Sequence, residues 1–178
     1  MYIAGLQTLN DSDDAAAYRA TYGYAPANQP PAVVQCDSGT SNVYWSGSTL
    51  GDAFSNYTLL MTNGTGLYCA SQQEDNAILE AMTRGDLIGK IDFSRIALMR
   101  TASDFDRAPP DESEVFHLLY AAQDGFEISI QNIFVAGSAI VEDVLMYWES
   151  TYLPGLRPGN YIGDIFDSFD YFIAPNIG

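Results

Sequence analysis

Between Gly66 and Gly85 the sequence GLYCASQQEDNAILEAMTRG changes its hydrophobic period once, and that change constrains the fold more than any other stretch. GLYCAS is a β-type run. Behind it Ala77, Ile78, Ala81 and Met82 recur at helical spacing, with acids in the first turn and Gly85 after the end. A strand that feeds a helix is the opening of a βαβ unit, whose second strand lies parallel to the first. FSRIALMR, Phe93 to Arg100, is apolar enough to be that second strand, buried and ending at Thr101.

The rest of the chain repeats the alternation. Asn10, Asp11 and Ser12 are N-cap types ahead of the short helix DDAAAYRATYG, which Gly23 closes. YAPANQPP is excluded from regular structure by its prolines. AVVQCD and VYWSG read as strands separated by the turn-forming SGTSN, while LGDAFSNYTLLMT mixes aromatic and branched residues around Gly51-Asp52 and is followed by the turn-prone Asn63-Gly64. ESEVFHLLYAA and FEISIQNIFVAGSAIVEDVLMYW carry helical periodicity, and the Gly- and Pro-rich tail from Leu153 takes no assignment. The reading is one α/β domain, residues 1–178, with a largely parallel sheet.

Composition narrows the partners. The 178 residues carry 47% hydrophobic and 17% charged side chains, enough for one substantial core. A net charge of −16 with Lys90 as the single lysine leaves no basic stripe for phosphate backbones, so nucleic acid and anionic membrane surfaces are poor partners. The longest apolar stretch, FVAGSAIVEDVLMYW, is interrupted by Glu142 and Asp143, and no membrane span is expected. MYIAGLQTLNDSD has neither a basic segment nor a sustained apolar one, so it is no signal peptide. Sequons at Asn10, Asn56 and Asn63, with Cys36 and Cys69 as either one disulfide or two buried thiols, lean toward the secretory pathway and an extracellular or cell-surface location.

Three elements carry candidate chemistry: Gly51-Asp-Ala-Phe54, Gln73-Glu-Asp-Asn76 and Ser103-Asp104. Each sits at a strand end or helix start, the edge of an α/β sheet where ligands bind. Bland explanations compete. Acids such as Glu74 and Asp75 suit a helix N-terminus, and Asp104 suits a turn. His117, within EVFHLLY, reads as a packed histidine, and Trp45 and Trp148 read as core. No metal ligand set is apparent.

The order of these elements, GDAF, then QEDNAI, then a strand ending in Ser-Asp, resembles the second half of the nucleoside phosphorylase and nucleosidase superfamily. More closely, YAPANQPP, VVQCD, GTGLYCASQQEDNA and LMRTASDFDRAPP resemble the fungal purine nucleoside permease family, from about Tyr18 to Trp148. The resemblance implies part of a three-layer α/β/α fold with a mixed, largely parallel sheet. It implies a purine nucleoside as ligand and cleavage of its N-glycosidic bond, by phosphate as co-substrate or by water, with no other cofactor. Asp104 matches the acid that protonates the base at N7, Ser103 the serine that positions it, Glu74 the grip on the ribose hydroxyls with Asp75 as alternative, and Phe54 the ring that stacks on the base. Gln73 stands where relatives often carry methionine.

An aspartate protonates a base only from a dry pocket, which Thr101, Ala102, Phe54 and Phe105 are expected to line. The alternatives are nucleoside binding that supports transport without catalysis, or an inactive truncated fragment. No glycine-rich phosphate loop precedes Gly51, so the chain reads as the carboxyl-terminal part of a longer protein. Such a part exposes sheet edge and apolar surface, to be covered by a homo-oligomer or a complementary N-terminal half.

Overall fold

A computed structural model describes residues 2–155. In chain order the elements are α1 (Tyr2–Gly5), α2 (Asp13–Ala20), β1 (Asp37–Thr40), α3 (Ser48–Met61), β2 (Tyr68–Gln72), α4 (Asp75–Leu87), α5 (Glu114–Tyr120) and α6 (Phe126–Met146). Short helical turns follow α4 at Phe93–Arg95 and α6 at Trp148–Tyr152. The architecture mixes helices with a small parallel sheet, β1 beside β2.

The helices start where local chemistry dictates. The Ser12 hydroxyl caps α2 by accepting from the Ala15 amide at 3.2 Å, and Gly23 turns the chain at φ +67°. Ser113 caps α5 in the same way, accepting from Phe116 at 3.1 Å. The Gln72 side chain accepts from the amides of Glu74 and Asp75, at 2.8 and 3.0 Å, and so covers two of the free donors that open α4. The stretch around GDAF, whose mixed aromatic and branched residues were not read as helical, is the helix α3.

The sheet departs from the sequence reading in two places. β1 is DSGT, of which Ser38 to Thr40 were expected to turn, whereas Ala32 to Cys36 of AVVQCD and all of VYWSG lie outside strands. The reason lies at Gly39, where an added Cβ would stand 2.9 Å from the Tyr68 ring and 3.3 Å from Trp45. Glycine serves close approach here rather than a bend. Asp37 aligns with Tyr68 and Thr40 with Gln72, and a register shift follows Asp37.

The strand expected over Phe93 to Arg100 is also absent. Phe93–Arg95 is a 3₁₀ turn, and residues 96–100 run without a ladder. A strand needs a neighbour, and the Phe93 amide instead donates to the Asp86 carboxylate at 2.8 Å.

α6 is longer than the interrupted run suggested. It begins at Phe126, so Glu142 and Asp143 fall near its end rather than its middle. With 21 residues and a mean hydropathy of 1.4 over its most apolar 18 it is, among the described helices, the one long and apolar enough to cross a membrane, which the sequence reading did not anticipate. Its buried face carries Ser129, Asn132 and Ala136. Asn132 exchanges two hydrogen bonds with the Asn10 backbone, at 2.7 and 2.9 Å, and so holds the segment between α1 and α2.

Burial concentrates in aromatic clusters. Tyr22 stacks on Phe105 with centroids 4.1 Å apart, and Tyr18 lies against His117. Trp45, buried as expected, stacks on Phe54 at 4.0 Å. Trp148 is not core but exposed, beneath the Arg95 guanidinium 5.9 Å from its ring. Leu60, Leu119, Phe134 and Leu145 also face outward.

Candidate functional site

The segment Thr101 to Ala108 is held from three sides. The Thr101 hydroxyl donates to the Ser129 carbonyl on α6 at 3.1 Å. Gly125, just before α6, approaches so closely that an added Cβ would lie 2.1 Å from the Ser103 carbonyl oxygen. Glycine is required there by space alone. His117, 2% exposed, reaches the Phe105 carbonyl with Nε2 at 3.0 Å and the Tyr18 hydroxyl with Nδ1 at 2.7 Å. It is thus the packed histidine read from the sequence, and it pins the segment to α2.

The third restraint is Arg107. Its guanidinium donates to both oxygens of Asp106, at 2.9 and 3.1 Å, and to Asp52 on α3 at 2.7 Å. The Asp106 hydrogen bond is the main reason the guanidinium is held above the usual arginine range, against the opposing effect of burial. Asp106 also accepts from Tyr68, whose hydroxyl burial pushes upward, with the Asp106 charge adding to it. Gly51 of GDAF makes this possible: an added Cβ would meet Arg107 Nη2 at 2.3 Å and Asp106 Oδ2 at 2.6 Å. The glycine of that motif therefore makes room for an ion pair.

Within this frame Ser103 donates to Asp104 at 2.7 Å. The carboxylate itself is exposed, not enclosed by Phe54 and Phe105 as expected. Among the described residues no hydrogen bond, ion pair or ring contact joins it to Glu74 or Phe54. Phe54 has Trp45 against one face.

At the start of α4 the two acids part company. Asp75 is 3% exposed and grips Arg100 through both oxygens, Nε to Oδ2 at 3.0 Å and Nη2 to Oδ1 in a short contact. That hydrogen bond raises the Arg100 guanidinium above its ordinary value, against partial burial. Asp75 is therefore occupied structurally. Glu74 and Gln73 are exposed, and the Glu74 side chain makes no cap bond. Cys36 and Cys69 are joined as a disulfide beside β1 and within β2. Asn56 lies on α3 and Asn63 at a turn with φ 49°, and Asn10 is tied to Asn132.

Sequence reasoning missed Arg100, Arg107, Gln72 and Glu114. Arg107 stands in the quoted TASDFDR, and its neighbour Asp106 was the available signal. Glu114 accepts from the amides of Ser48, at 2.8 Å, and Ala108, at 2.9 Å, joining the start of α3 to this segment. Burial pushes its carboxyl up, but the Ser48 and Ala108 amides outweigh this and hold it below the usual range.

A family model described as "Purine nucleoside permease (NUP)" matches residues 1–157. Two Candida albicans proteins named purine nucleoside permease are each 43% identical over 159 residues, covering 88% of this chain and 39% of theirs. A probable purine nucleoside permease of Schizosaccharomyces pombe is 38% identical over 140 residues, 79% of this chain and 40% of its own. The chain thus spans about two fifths of the length of these relatives. No solved structure matches it.

These names correct two expectations. Permeases are named for passage of nucleosides, not for cleaving them, so the glycosidic-cleavage reading with Asp104 as acid to the base falls. The exposure of Asp104 agrees, because general acid chemistry needed dryness. The secreted, extracellular location falls for the same reason: passage by a permease takes place at a membrane.

Proposed function

The chain belongs to the purine nucleoside permease family, and from that premise we propose that it binds purine nucleosides in support of their transport and leaves them intact. The observation that carries this reading is the family match, whose bounds, residues 1–157, take in every element around the Thr101–Ala108 segment. Exposed polar groups suit such a role. Asp104, steadied by Ser103, and Glu74 offer acceptor oxygens for ribose hydroxyls and base N–H groups, with Gln73 beside Glu74 and Phe54 as an aromatic surface. Asp75 supports the site by anchoring Arg100.

The same premise bears on architecture. Parallel sheets are ordinarily covered on both faces and seldom consist of two strands. We therefore read β1 and β2 as two strands of a larger, largely parallel sheet within a three-layer α/β/α domain, of which residues 1–178 form a part.

The test is calorimetric titration with inosine, adenosine and guanosine, followed by chromatography of the recovered ligand with and without phosphate. Saturable binding, ligand recovered whole, and about tenfold weaker binding for Asp104→Asn or Glu74→Gln are expected. Absence of binding, or release of free base, defeats the proposal.

A further inference from the structure

One face of α6 takes no part in the candidate site. Ser129, Asn132 and Ala136 are buried on the opposite side, while Phe126, Ile130, Phe134, Val141 and Leu145 stand open to water, Phe134 at 74%. With Gly137 these residues form one stripe down the helix, at successive spacings of 4, 4, 3, 4 and 4. The main neighbours of α6 among the described elements, α1 and the turn at Trp148–Tyr152, leave that stripe uncovered. We propose that it docks antiparallel on the same stripe of a second copy of this chain, with Phe134 of each copy seated over Gly137 of the other.

The spacing reads the same from either end. A two-fold contact between antiparallel helices requires this, because each copy presents one patch to the identical patch of the other. About the midpoint between Val135 and Ala136, Phe126 falls opposite Leu145, Ile130 opposite Val141 and Phe134 opposite Gly137. A large ring thus meets the position that has no side chain. A recess of about 390 Å³ lies there, lined by Ile133, Phe134, Gly137, Ser138, Val141 and Glu142. An added Cβ on Gly137 would come no nearer than 3.9 Å to another element among the described residues, at Met99 Sδ. The recess is open on its outer side, so it suits a side chain arriving from a facing helix, large against small, as helix packing favours.

Charge selects the direction. α6 carries Glu127, Glu142 and Asp143 and no cation. Parallel pairing sets each acid near its own copy and Phe134 against Phe134, whereas the antiparallel register places those acids opposite Val144, Ser129 and Ile128. The exposed Glu127, Gln131 and Glu142 border the stripe, so the apolar surface is a band and not the all-round coat that lipid requires. The five apolar side chains leave on the order of 500 Å² open per copy, and a pair therefore buries about 1,000 Å², the lower limit for a specific interface and the size of a reversible dimer. Because the Thr101 hydroxyl donates to the Ser129 carbonyl near the start of α6, this pairing sets the two Thr101–Ala108 segments at opposite ends of the contact.

The test is analytical ultracentrifugation of the 178-residue chain from about 1 to 200 µM, with circular dichroism of every variant to check folding. A reversible species of twice the 19.4 kDa chain mass is expected, half dissociated between about 1 and 100 µM. Phe134→Glu, at an exposed position, should weaken association at least tenfold without lowering the melting point of the dilute chain. Gly137→Ala separates packing from folding: alanine is the better helix former, so the dilute chain should melt higher while association weakens. Ile130→Lys and Val141→Glu should each associate at least tenfold more weakly alone and pair with one another when mixed, since the antiparallel register sets 130 opposite 141. A chain that stays monomeric at 200 µM overturns the proposal, and so does a dimer that Phe134→Glu leaves unchanged. Mixing that restores nothing overturns the antiparallel register. Flotation of the chain with phosphatidylcholine vesicles, abolished by Phe134→Glu, assigns the face to lipid and overturns pairing.

Discussion

Replacing Glu114 by alanine tests the framework behind the candidate site. Its carboxylate accepts from Ser48 N, the first residue of α3, and from Ala108 N, just past Arg107. The residue preceding α3 is Gly47, which has no side chain to cap with and lies at φ +100°, so the cap comes from α5. An added Cβ on Gly47 would lie 3.5 Å from the Glu114 carboxyl carbon. Hydrogen bonds to a charged group contribute roughly 1.5–3 kcal/mol each, and the charge adds about 0.5 kcal/mol at the start of a helix. Since Glu114 is only partly buried, the low end applies, and the loss is about 3 kcal/mol. For a chain of this length that corresponds to a melting point lowered by about 6–12 °C.

The pH dependence gives the sharper check. The folded-state pKa of Glu114 lies below its ordinary value, so its contribution is fully present above about pH 4.5 and is lost as pH falls through the lower folded value. Urea denaturation of the original chain and of Glu114→Ala should differ by the full amount at pH 7, and the gap should narrow on acidification below pH 4.5. Comparing the two proteins at each pH cancels the titration of the other acids. A gap that stays constant from pH 7 to pH 3, or one under about 0.5 kcal/mol at pH 7, refutes the capping argument.

Arg100→Ala strips the buried Asp75 of its counter-charge. About 2 kcal/mol should be lost in urea denaturation, less than the roughly 3–5 kcal/mol of a fully enclosed pair because Arg100 is partly exposed, and adding Asp75→Asn should restore part of it. Gly51→Ala sets two effects in opposition. Helix propensity favours alanine by about 1 kcal/mol, but a Cβ 2.3 Å from Arg107 forces rearrangement at roughly 1–3 kcal/mol, so the melting point should fall and a rise would reject the close-approach argument. Replacing Cys36 and Cys69 together by serine opens a loop closed across a separation of 33 residues, for which chain entropy gives about 4 kcal/mol, read as a lower urea midpoint under non-reducing conditions.

What was legible in the sequence was local. β2 running into α4, α2 with its serine cap and α6 with its helical period all follow from residues within one turn of each other. Family membership was legible because YAPANQPP and TASDFDR are contiguous. The errors arose where the deciding partner was distant. DSGT became a strand because Gly39 must pass the Tyr68 ring, and FSRIALMR did not because no neighbouring strand, among the described residues, receives it. α3 escaped notice because its N-cap, Glu114, lies 66 positions away.

The same distinction sorts the acids. Twenty-three carboxylates face seven lysines and arginines, so an acid at a helix start or strand end carries little functional information on its own. The structure assigns several of them to scaffolding: Asp75 to Arg100, Asp52 and Asp106 to Arg107, and Glu114 to two backbone amides. Asp104, bonded among the described residues by Ser103 alone, and the exposed Glu74 are not consumed in this way. A carboxylate already paired must surrender that partner to bind a ligand, whereas one that faces water exchanges only solvent. That difference, rather than position in a motif, is the physical ground on which we propose ligand recognition by Asp104 and Glu74, while Asp75 supports the structure.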